Sequence, residues 1–239
     1  MRKMKELAKL IQNSEYTVVL TGAGTSTASG IPDFRGPKGL WKQVDPIYAL
    51  SVDAFYSDTE RFYEFFFNML SEFSQCKPND AHFAIAELEK RGVIKSVITQ
   101  NIDELHQRAG SKNVLEIHGT SYRGICLKCG HKQPLTPSDT LPRCTKCNGL
   151  IRPLVVLFGD PMPQDYLKAE KEAYKADLLI VVGSSLQVSP ACYLPLRAKK
   201  VAILNLEPTP FDSQAAFVSH KKAEEALPKL LEFLDLEAV

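Results

Sequence analysis

The chain has 239 residues, of which 44% are hydrophobic, and it carries 29 basic against 28 acidic side chains. A net charge of +1 gives no electrostatic basis for binding nucleic acid, and the composition is that of a globular protein of one domain or slightly more. The sequence contains no apolar signal core and no membrane-spanning stretch, so it predicts a cytoplasmic protein that does not act at a membrane.

A glycine-rich turn, residues 22–30, follows the first predicted helix (residues 4–12) and the first predicted strand (residues 16–21). Strand, glycine turn and small helix-starting residues are typical of a dinucleotide site, because glycine lets the backbone approach a pyrophosphate and free N–H groups face its charge. The G-x-G-x-x-G fingerprint is incomplete, since Thr27 occupies the third glycine position and no acidic residue ends a second strand about 20 residues later. A simple tight strand-to-helix turn remains the alternative.

The two segments that follow this turn predict a loop and then a small helical module. Residues 30–50 contain three prolines and three glycines together with aromatic residues, which indicates an ordered loop or lid, or else a packed surface loop. Residues 53–73 hold six of the twelve phenylalanines at a spacing that suits one long or two short helices. We expect these rings to form a small core, and the alternative is that some of them line an apolar pocket.

Polar residues follow two neighbouring predicted strands in the middle of the chain. A helix capped near Asn79 ends at Gly92, and the strand that ends at Thr99 leads into residues 100–103. A short helix, residues 103–109, separates this strand from the next one, which ends in His118. Because the carboxyl ends of parallel strands are where ligands bind, these residues predict a ligand crevice.

The alternation resumes after the cysteine-containing segment. Strands are predicted at residues 154–158, 178–182 and 201–205, and helices near residues 164–175, 190–198 and 223–235. This pattern predicts an α/β fold with a doubly wound parallel sheet. Residues 1–35, 78–118 and 154–239 would form this larger domain, and residues 36–77 with 119–153 would form a smaller inserted one.

Four of the six cysteines form two Cys-x2-Cys pairs, at Cys126, Cys129, Cys144 and Cys147. Four thiolates imply a closed tetrahedral site, so we predict one structural zinc ion, with an iron–sulfur cluster as the alternative. Gly130 and the pair Asn148–Gly149 tolerate the positive φ that such metal knuckles use. Only four Lys or Arg residues lie between Cys126 and Cys147, which favours a scaffolding role over nucleic-acid binding.

These motifs resemble those of the sirtuin family of NAD-dependent protein deacylases. They occur in the order typical of the family and cover nearly the whole chain, which looks like a minimal bacterial or archaeal member. The matching segments are GAGTS (22–26), GIPDFRG (30–36), TQNID (99–103), HG (118–119), the cysteine pairs, FGD (158–160), GSSLQV (183–188) and Asn205. The resemblance implies a Rossmann-like domain and a small zinc and helical domain, with NAD and an acyl-lysine peptide meeting between them.

The resemblance also implies which residues contact each ligand. Contacts to NAD would come from Gly22, Ala23, Gly24, Ser26, Thr27, Asp33, Phe34, Arg35, Gln100, Asn101, Ile102, Asp103, His118, Gly183, Ser184, Ser185 and Asn205, of which Ser184, Ser185 and Asn205 would hold the adenosine half. The substrate peptide would add as a strand between two segments that contain Val156, Phe158, Gly159, Gln187 and Val188. Arg35 would lie near the pyrophosphate, and the alternative is that its charge is simply solvated on the loop.

Catalysis is expected from His118, with Asn101 and Asp103 at the nicotinamide. The resemblance implies that the acyl oxygen attacks C1′ of the nicotinamide ribose, after which His118 acts as general base on the ribose hydroxyls. The products would be nicotinamide, 2′-O-acyl-ADP-ribose and free lysine. Asp103 could instead only cap the helix that follows it. For the lone histidines His82, His106 and His220 we predict structural roles.

Two departures from the family pattern bear on the substrate. Asp160 stands where the family usually has Glu, which is a mild change. Phe66 and Met69 stand where relatives that remove acidic acyl groups carry a Tyr-x-x-Arg pair, so we predict neutral acyl groups, acetyl first. The alternative functions are an NAD-dependent protein ADP-ribosyltransferase and a non-catalytic module that binds NAD or zinc.

Overall fold

The structure is a computed structural model that describes residues 2–33 and 46–236. Over these residues the chain forms a six-stranded and a three-stranded sheet. No helix in the described ranges is both long and apolar enough to cross a membrane. The predicted loop or lid at residues 30–50 lies largely outside these ranges and stays a prediction.

The strands are distributed over two sheets of different kinds. In chain order they are β1 (Thr17–Thr21), β2 (Ile94–Thr99), β3 (Val114–Glu116), β4 (Gly119–Cys126), β5 (Lys132–Pro134), β6 (Ile151–Val155), β7 (Leu178–Val182), β8 (Val201–Leu204) and β9 (Phe217–Ser219). The larger sheet is parallel with the order β3-β2-β1-β7-β8-β9, and the smaller one is antiparallel with the order β5-β4-β6. The larger sheet confirms the predicted fold class.

Helices cover both faces of the parallel sheet. The helices are α1 (Arg2–Gln12), α2 (Pro46–Ala49), α3 (Val52–Ser57), α4 (Thr59–Gln75), α5 (Asp80–Lys90), α6 (Leu105–Ala109), α7 (Gln164–Lys175) and α8 (Ala223–Leu236). Helices α1, α5 and α8 pack on one face, and α7 packs on the other with the 3-10 turn Ala191–Arg197. All residues of β1 and β7 are therefore buried, which explains why these strands are continuous apolar runs.

The topology places a crevice between β1 and β7. From β1 the chain adds β2 and β3 on one side, and β7, β8 and β9 extend the sheet on the other. The loops after β1 and β7 therefore leave the sheet in opposite directions, and such a switch point is where open parallel sheets bind ligands.

The small sheet packs with α3 and α4 around a second core. Five of the six phenylalanines predicted to form a small core are buried there. Phe55 and Phe66 are fully buried: the ring of Phe55 packs edge-on against Phe62, and the ring of Phe66 stacks on Phe62. The hydroxyl of Tyr63 in α4 donates to the carbonyl oxygen of Ile151 in β6, which ties the helices to the small sheet. The helical and cysteine segments thus form one module, and the exact domain limits stay a prediction.

Three local predictions differ from the structure. The strand predicted at residues 154–158 is β6, which begins at Ile151 and pairs antiparallel with β4 instead of joining the parallel sheet. The turn at residues 22–30 contains two 3-10 turns, Ala23–Thr25 and Thr27–Ser29, and no α-helix begins there. Strands β4, β5 and β9 were not predicted, and β5 and β9 are too short, at three residues each, for a recognisable pattern.

Candidate active site

A cavity of about 1390 Å³ lies at the carboxyl edge of the parallel sheet, between that sheet and the small module. Every described residue that the sequence assigns to NAD or peptide binding lines it, including the ends of β1, β2, β7 and β8. Phe34 and Arg35 lie outside the described residues. The cavity exceeds the ordinary range of about 300–1,000 Å³ for one small-molecule site, so it has room for two ligands.

The glycines of the two central loops allow these loops to touch. The N–H of Gly24 donates to the carbonyl oxygen of Gly183 at 2.9 Å. A Cβ on Gly24 would lie 2.9 Å from Gly183, and a Cβ on Gly183, whose φ is +60°, would lie 2.3 Å from the nitrogen of Thr25. These glycines are thus required for packing between loops, a reason different from the close approach to a pyrophosphate that the sequence suggested.

Asn101, Ser26 and Asp103 form a buried hydrogen-bonded group at the inner end of the cavity. The amide of Asn101 donates to the Ser26 hydroxyl at 3.1 Å and to the carbonyl oxygen of Gly22 at 3.2 Å. The Ser26 hydroxyl donates to Asp103 Oδ2 at 2.7 Å, and Asp103 Oδ1 accepts from the N–H of Leu105 in α6. Asp103 therefore bonds the first N–H of α6, much as the alternative proposed, although Glu104 is the N-cap residue, and it also lines the cavity. Burial raises the pKa of its carboxyl group.

His82 belongs to the same group, which the sequence did not indicate. Its Nδ1 accepts from the N–H of Asn79 as part of a capping box, so the proton of the neutral ring is on Nε2, 3.4 Å from the Ser26 hydroxyl. Burial lowers the pKa of His82 to about 4. The ring of His106 lies 4.8 Å from that of His82 and contacts Thr21. The sequence predicted only a helix capped near Asn79, and nothing in it pointed to a contact between His82 and Ser26.

His118 lines the same cavity, and its ring contacts the residue before Asn101. Its Nδ1 lies 2.9 Å from the carbonyl oxygen of Gln100, and burial lowers the pKa of the ring. The side-chain amide of Gln100 donates to the Ser184 hydroxyl at 2.9 Å, which links the ends of β2 and β7. The two strand ends that the sequence singled out are therefore adjacent, because β2 and β3 pair in parallel.

The small module contributes an apolar end to the cavity. Its lining there consists of Leu50, Phe73, Ile102, Val155 and Leu157. Phe66 and Met69 are buried in the core of the module and do not line the cavity. No arginine is among the described lining residues, so no described guanidinium is available to pair with an acyl carboxylate.

The segment that carries Phe158 and Gly159 is held by the small module. The N–H and carbonyl oxygen of Phe158 are paired with Leu50 and Val52, so its backbone is already used and its half-exposed ring faces outward. Gly159 makes no backbone hydrogen bond to any described residue, and the same holds for Gln187 on the opposite side. Asp160 accepts from the N–H of Leu157 at 2.8 Å and from the guanidinium of Arg152 at 2.6 Å.

The four paired cysteines meet at one point of the small sheet. Their Sγ atoms all lie within 4.8 Å of one another, with Cys126 and Cys147 at 3.4 Å and Cys129 and Cys144 at 3.7 Å. Four sulfurs around one zinc ion at about 2.3 Å would lie about 3.8 Å apart, so the cluster is compatible with a structural zinc. Gly130 and Asn148 have positive φ, as predicted, whereas Gly149 is needed for space beside Cys126 Sγ.

The donor set of the cavity fits a dinucleotide. Hydroxyl and amide groups that follow four strands (Ser26, Asn101, Ser184, Asn205) are spread along one edge of the cavity. Such a row of neutral donors and acceptors suits ribose, carboxamide and phosphate groups. The residues present are therefore able to hold NAD.

Comparisons with known proteins agree with this site. Residues 22–190 match the model of the Sir2 family. The chain is 48% identical over 231 residues to NAD-dependent protein deacetylase 2 of Caldanaerobacter subterraneus subsp. tengcongensis, covering 93% of this chain and 92% of that protein. It is 43% identical to an NAD-dependent protein deacylase of Pyrococcus furiosus, covering 95% and 96%.

Solved structures give the same result. A Sir2 variant solved with deacetylated p53 peptide and 3′-O-acetyl-ADP-ribose has a TM-score of 0.90 and 45% identity, covering 96% of this chain and 98% of that one. A Sir2 homologue solved with NAD has a TM-score of 0.92 and 39% identity, covering 98% and 95%.

Proposed function

The chain belongs to the Sir2 family and is an NAD-dependent protein deacetylase, and we propose that it transfers the acyl group of an acyl-lysine side chain to ADP-ribose. The products are nicotinamide, 2′-O-acyl-ADP-ribose and free lysine, with one water consumed. The observation that carries this proposal is the position of His118 beside the Ser26–Asn101–Asp103 group, inside a cavity with room for two ligands.

NAD, when bound, supplies the cleavable bond between C1′ and nicotinamide and the ribose hydroxyls that receive the acyl group. In this proposal Ser184, Ser185 and Asn205 hold the adenosine half, and Asn101 and Asp103 position the nicotinamide half. A buried carboxyl group with a raised pKa is suited to hydrogen bonding with a carboxamide in either protonation state.

His118 is the proposed general base. Its Nδ1 donates to the carbonyl oxygen of Gln100, so the lone pair is on Nε2 and can take a proton from a ribose hydroxyl. A pKa lowered by burial keeps the ring neutral at pH 7, which is the form that accepts a proton.

The peptide is proposed to bind as an added strand between Gly159 and Gln187. Support comes from the backbone groups of these two residues, which have no backbone partner among the described residues. The apolar lining by Leu50, Phe73 and Leu157 supports neutral acyl groups, because no described arginine lines the cavity to pair with a succinyl carboxylate.

Incubation of the purified protein with acetyl-lysine peptide, with and without NAD, tests the function. We expect nicotinamide release that requires both substrates, and mass spectrometry that finds acetyl-ADP-ribose and unmodified lysine. ADP-ribose found on the protein or peptide would support the ADP-ribosyltransferase instead. No nicotinamide release with any neutral acyl peptide would defeat the proposal, and equal turnover of succinyl-lysine would defeat the acyl preference.

A further inference from the structure

One side of the cavity, beside the proposed adenosine position, is a segment that lacks regular structure. Residues 205–212 connect β8 to the 3-10 turn Asp212–Gln214, and residues 205–208 line the cavity. Residues 206–208 make no backbone–backbone hydrogen bond with any described residue. The position of this lining therefore depends on side-chain contacts: the amide of Asn205 donates to the carbonyl oxygen of Glu207 at 2.7 Å, and further contacts lie at the two ends of the segment.

His220 contacts both of these ends. Its Nδ1 lies 2.9 Å from the carbonyl oxygen of Asn205, and its Nε2 lies 3.2 Å from Asp212 Oδ2. The carbonyl and carboxylate oxygens only accept, so both contacts form together when each ring nitrogen carries a proton. The Oδ1 atom of Asp212 accepts from the N–H and the hydroxyl of Thr209, so the bridge extends back into the segment.

We propose that His220 is a positioning residue for the adenosine half of NAD, acting by bridging Asn205 and Asp212 across the cavity-lining segment. The inference rests on the proposed function, since it assigns NAD to this cavity. His220 itself does not line the cavity, so its effect passes through Asn205, which lines it and whose side-chain amide donates to the carbonyl oxygen of Glu207.

The test compares wild type with His220→Ala and Asp212→Asn. We expect both variants to raise the Kd for ADP-ribose, measured by titration calorimetry, and the KM for NAD by about 3–10-fold, as expected for loss of charge-assisted hydrogen bonds. The kcat and the KM for acetyl-lysine peptide should stay unchanged. The double variant should have a Kd for ADP-ribose no higher than that of the single variant with the higher Kd, because both substitutions break the same bridge.

Lys199→Ala is the matched control. Lys199 pairs with Asp177 at 2.7 Å, and this ion pair also lies near the surface. Lys199 precedes β8 and Asp177 precedes β7, so the pair lies at the edge of the sheet opposite to the cavity. This variant should bind ADP-ribose as wild type does. A merely structural role of His220 would instead change kcat and both KM values together.

Two further results would overturn the inference, and they are distinguishable. If wild type binds ADP-ribose and His220→Ala binds it equally well, His220 has no positioning role and the proposed function stands. If wild type binds no ADP-ribose, the proposed function and this inference fail together.

Discussion

The Nδ1 atom of His118 lies 2.9 Å from the carbonyl oxygen of Gln100, and this contact decides which ring nitrogen is basic. Because a carbonyl oxygen only accepts, the proton is on Nδ1 and the lone pair is on Nε2. His118 follows β3 and Gln100 follows β2, so the pairing of these two strands creates the contact.

Replacing His118 by Ala should lower kcat by about 10²–10⁴-fold, because the proposed general base is removed. The protein should stay folded, and added imidazole should restore part of the rate by occupying the vacated space. Nicotinamide release and acetyl-ADP-ribose formation measure both effects. A variant that keeps kcat within a few-fold of wild type would contradict the assignment.

The pH profile gives an independent check of the same residue. Burial lowers the pKa of His118 below its ordinary value of 6.5, and only the neutral ring accepts a proton. The kcat should therefore fall as pH decreases through a midpoint below 6.5, and a midpoint above 7 would contradict the burial argument.

Asp160→Asn should weaken peptide binding. The Asp160 carboxylate holds the segment with Phe158 and Gly159 through Leu157 and Arg152. We expect the KM for acetyl-lysine peptide to rise about 3–10-fold with an unchanged KM for NAD, as for loss of a partly buried ion pair. Lys168→Ala, which removes an exposed pair with Asp165, serves as the control. A parallel rise in both KM values would argue against a role at the peptide.

Gly183→Ala should be much more destabilising than Gly92→Ala. Both glycines have positive φ, at +60° and +72°, but only at Gly183 would the added Cβ overlap backbone, whereas nothing lies within 4 Å at Gly92. We expect a loss of about 1–2 kcal/mol in the free energy of unfolding for Gly92→Ala, and at least about 3 kcal/mol for Gly183→Ala.

Denaturant unfolding measures both variants. If Gly183→Ala does not fold, Gly24→Ala, which would contact Gly183 less closely, should show an intermediate loss. Equal losses at residues 92 and 183 would refute the packing between the two loops.

His82→Gln should reduce the acid sensitivity of the fold. The folded pKa of His82 is lowered to about 4, so the unfolded chain takes up the proton first as pH falls below 6.5. The stability linked to His82 is therefore present above pH 6.5 and lost towards pH 4, by about 3 kcal/mol in total.

Gln retains a side-chain acceptor for the capping box at Asn79. The variant should be close to wild type in stability at pH 7 and lose less of it by pH 4, as measured by urea unfolding at several pH values. Identical pH dependence in both proteins would show that His82 contributes nothing to it.

Metal analysis should find one zinc ion per chain and no iron. Cys126→Ser should reduce the zinc content and the thermal stability, because it removes one of four ligands of a structural site. Cys76→Ser, at a cysteine outside the cluster, should keep one zinc ion per chain. Iron in the purified protein would favour the iron–sulfur alternative.

The parts of the site that the sequence predicted well are those with a local signal. The apolar runs before Thr99 and His118 are strands of the parallel sheet, and both strands end at the cavity. The cysteine pairs also fall together, because each pair brings its two sulfurs to one point through local backbone geometry.

The strand at residues 154–158 shows where local patterns are insufficient. An apolar run has the same appearance in a parallel and in an antiparallel sheet, so only pairing with β4 places β6 in the small sheet. Phe73 and Phe66 likewise have the same chemistry, and only packing puts one at the cavity and the other in the core.

The sequence by itself determined the parallel sheet, the metal cluster and the strand ends that carry His118 and Asn101, because burial periodicity and ligand spacing are local properties of the chain. Only the tertiary structure decided the contact of Gly24 with Gly183, the approach of His82 to Ser26 and the bridge from His220 to Asn205 and Asp212. Gly24 and Gly183 are 159 residues apart, and His82 and Ser26 are 56 apart. The physical reason is that such contacts depend on how helices and strands pack, which no single segment specifies.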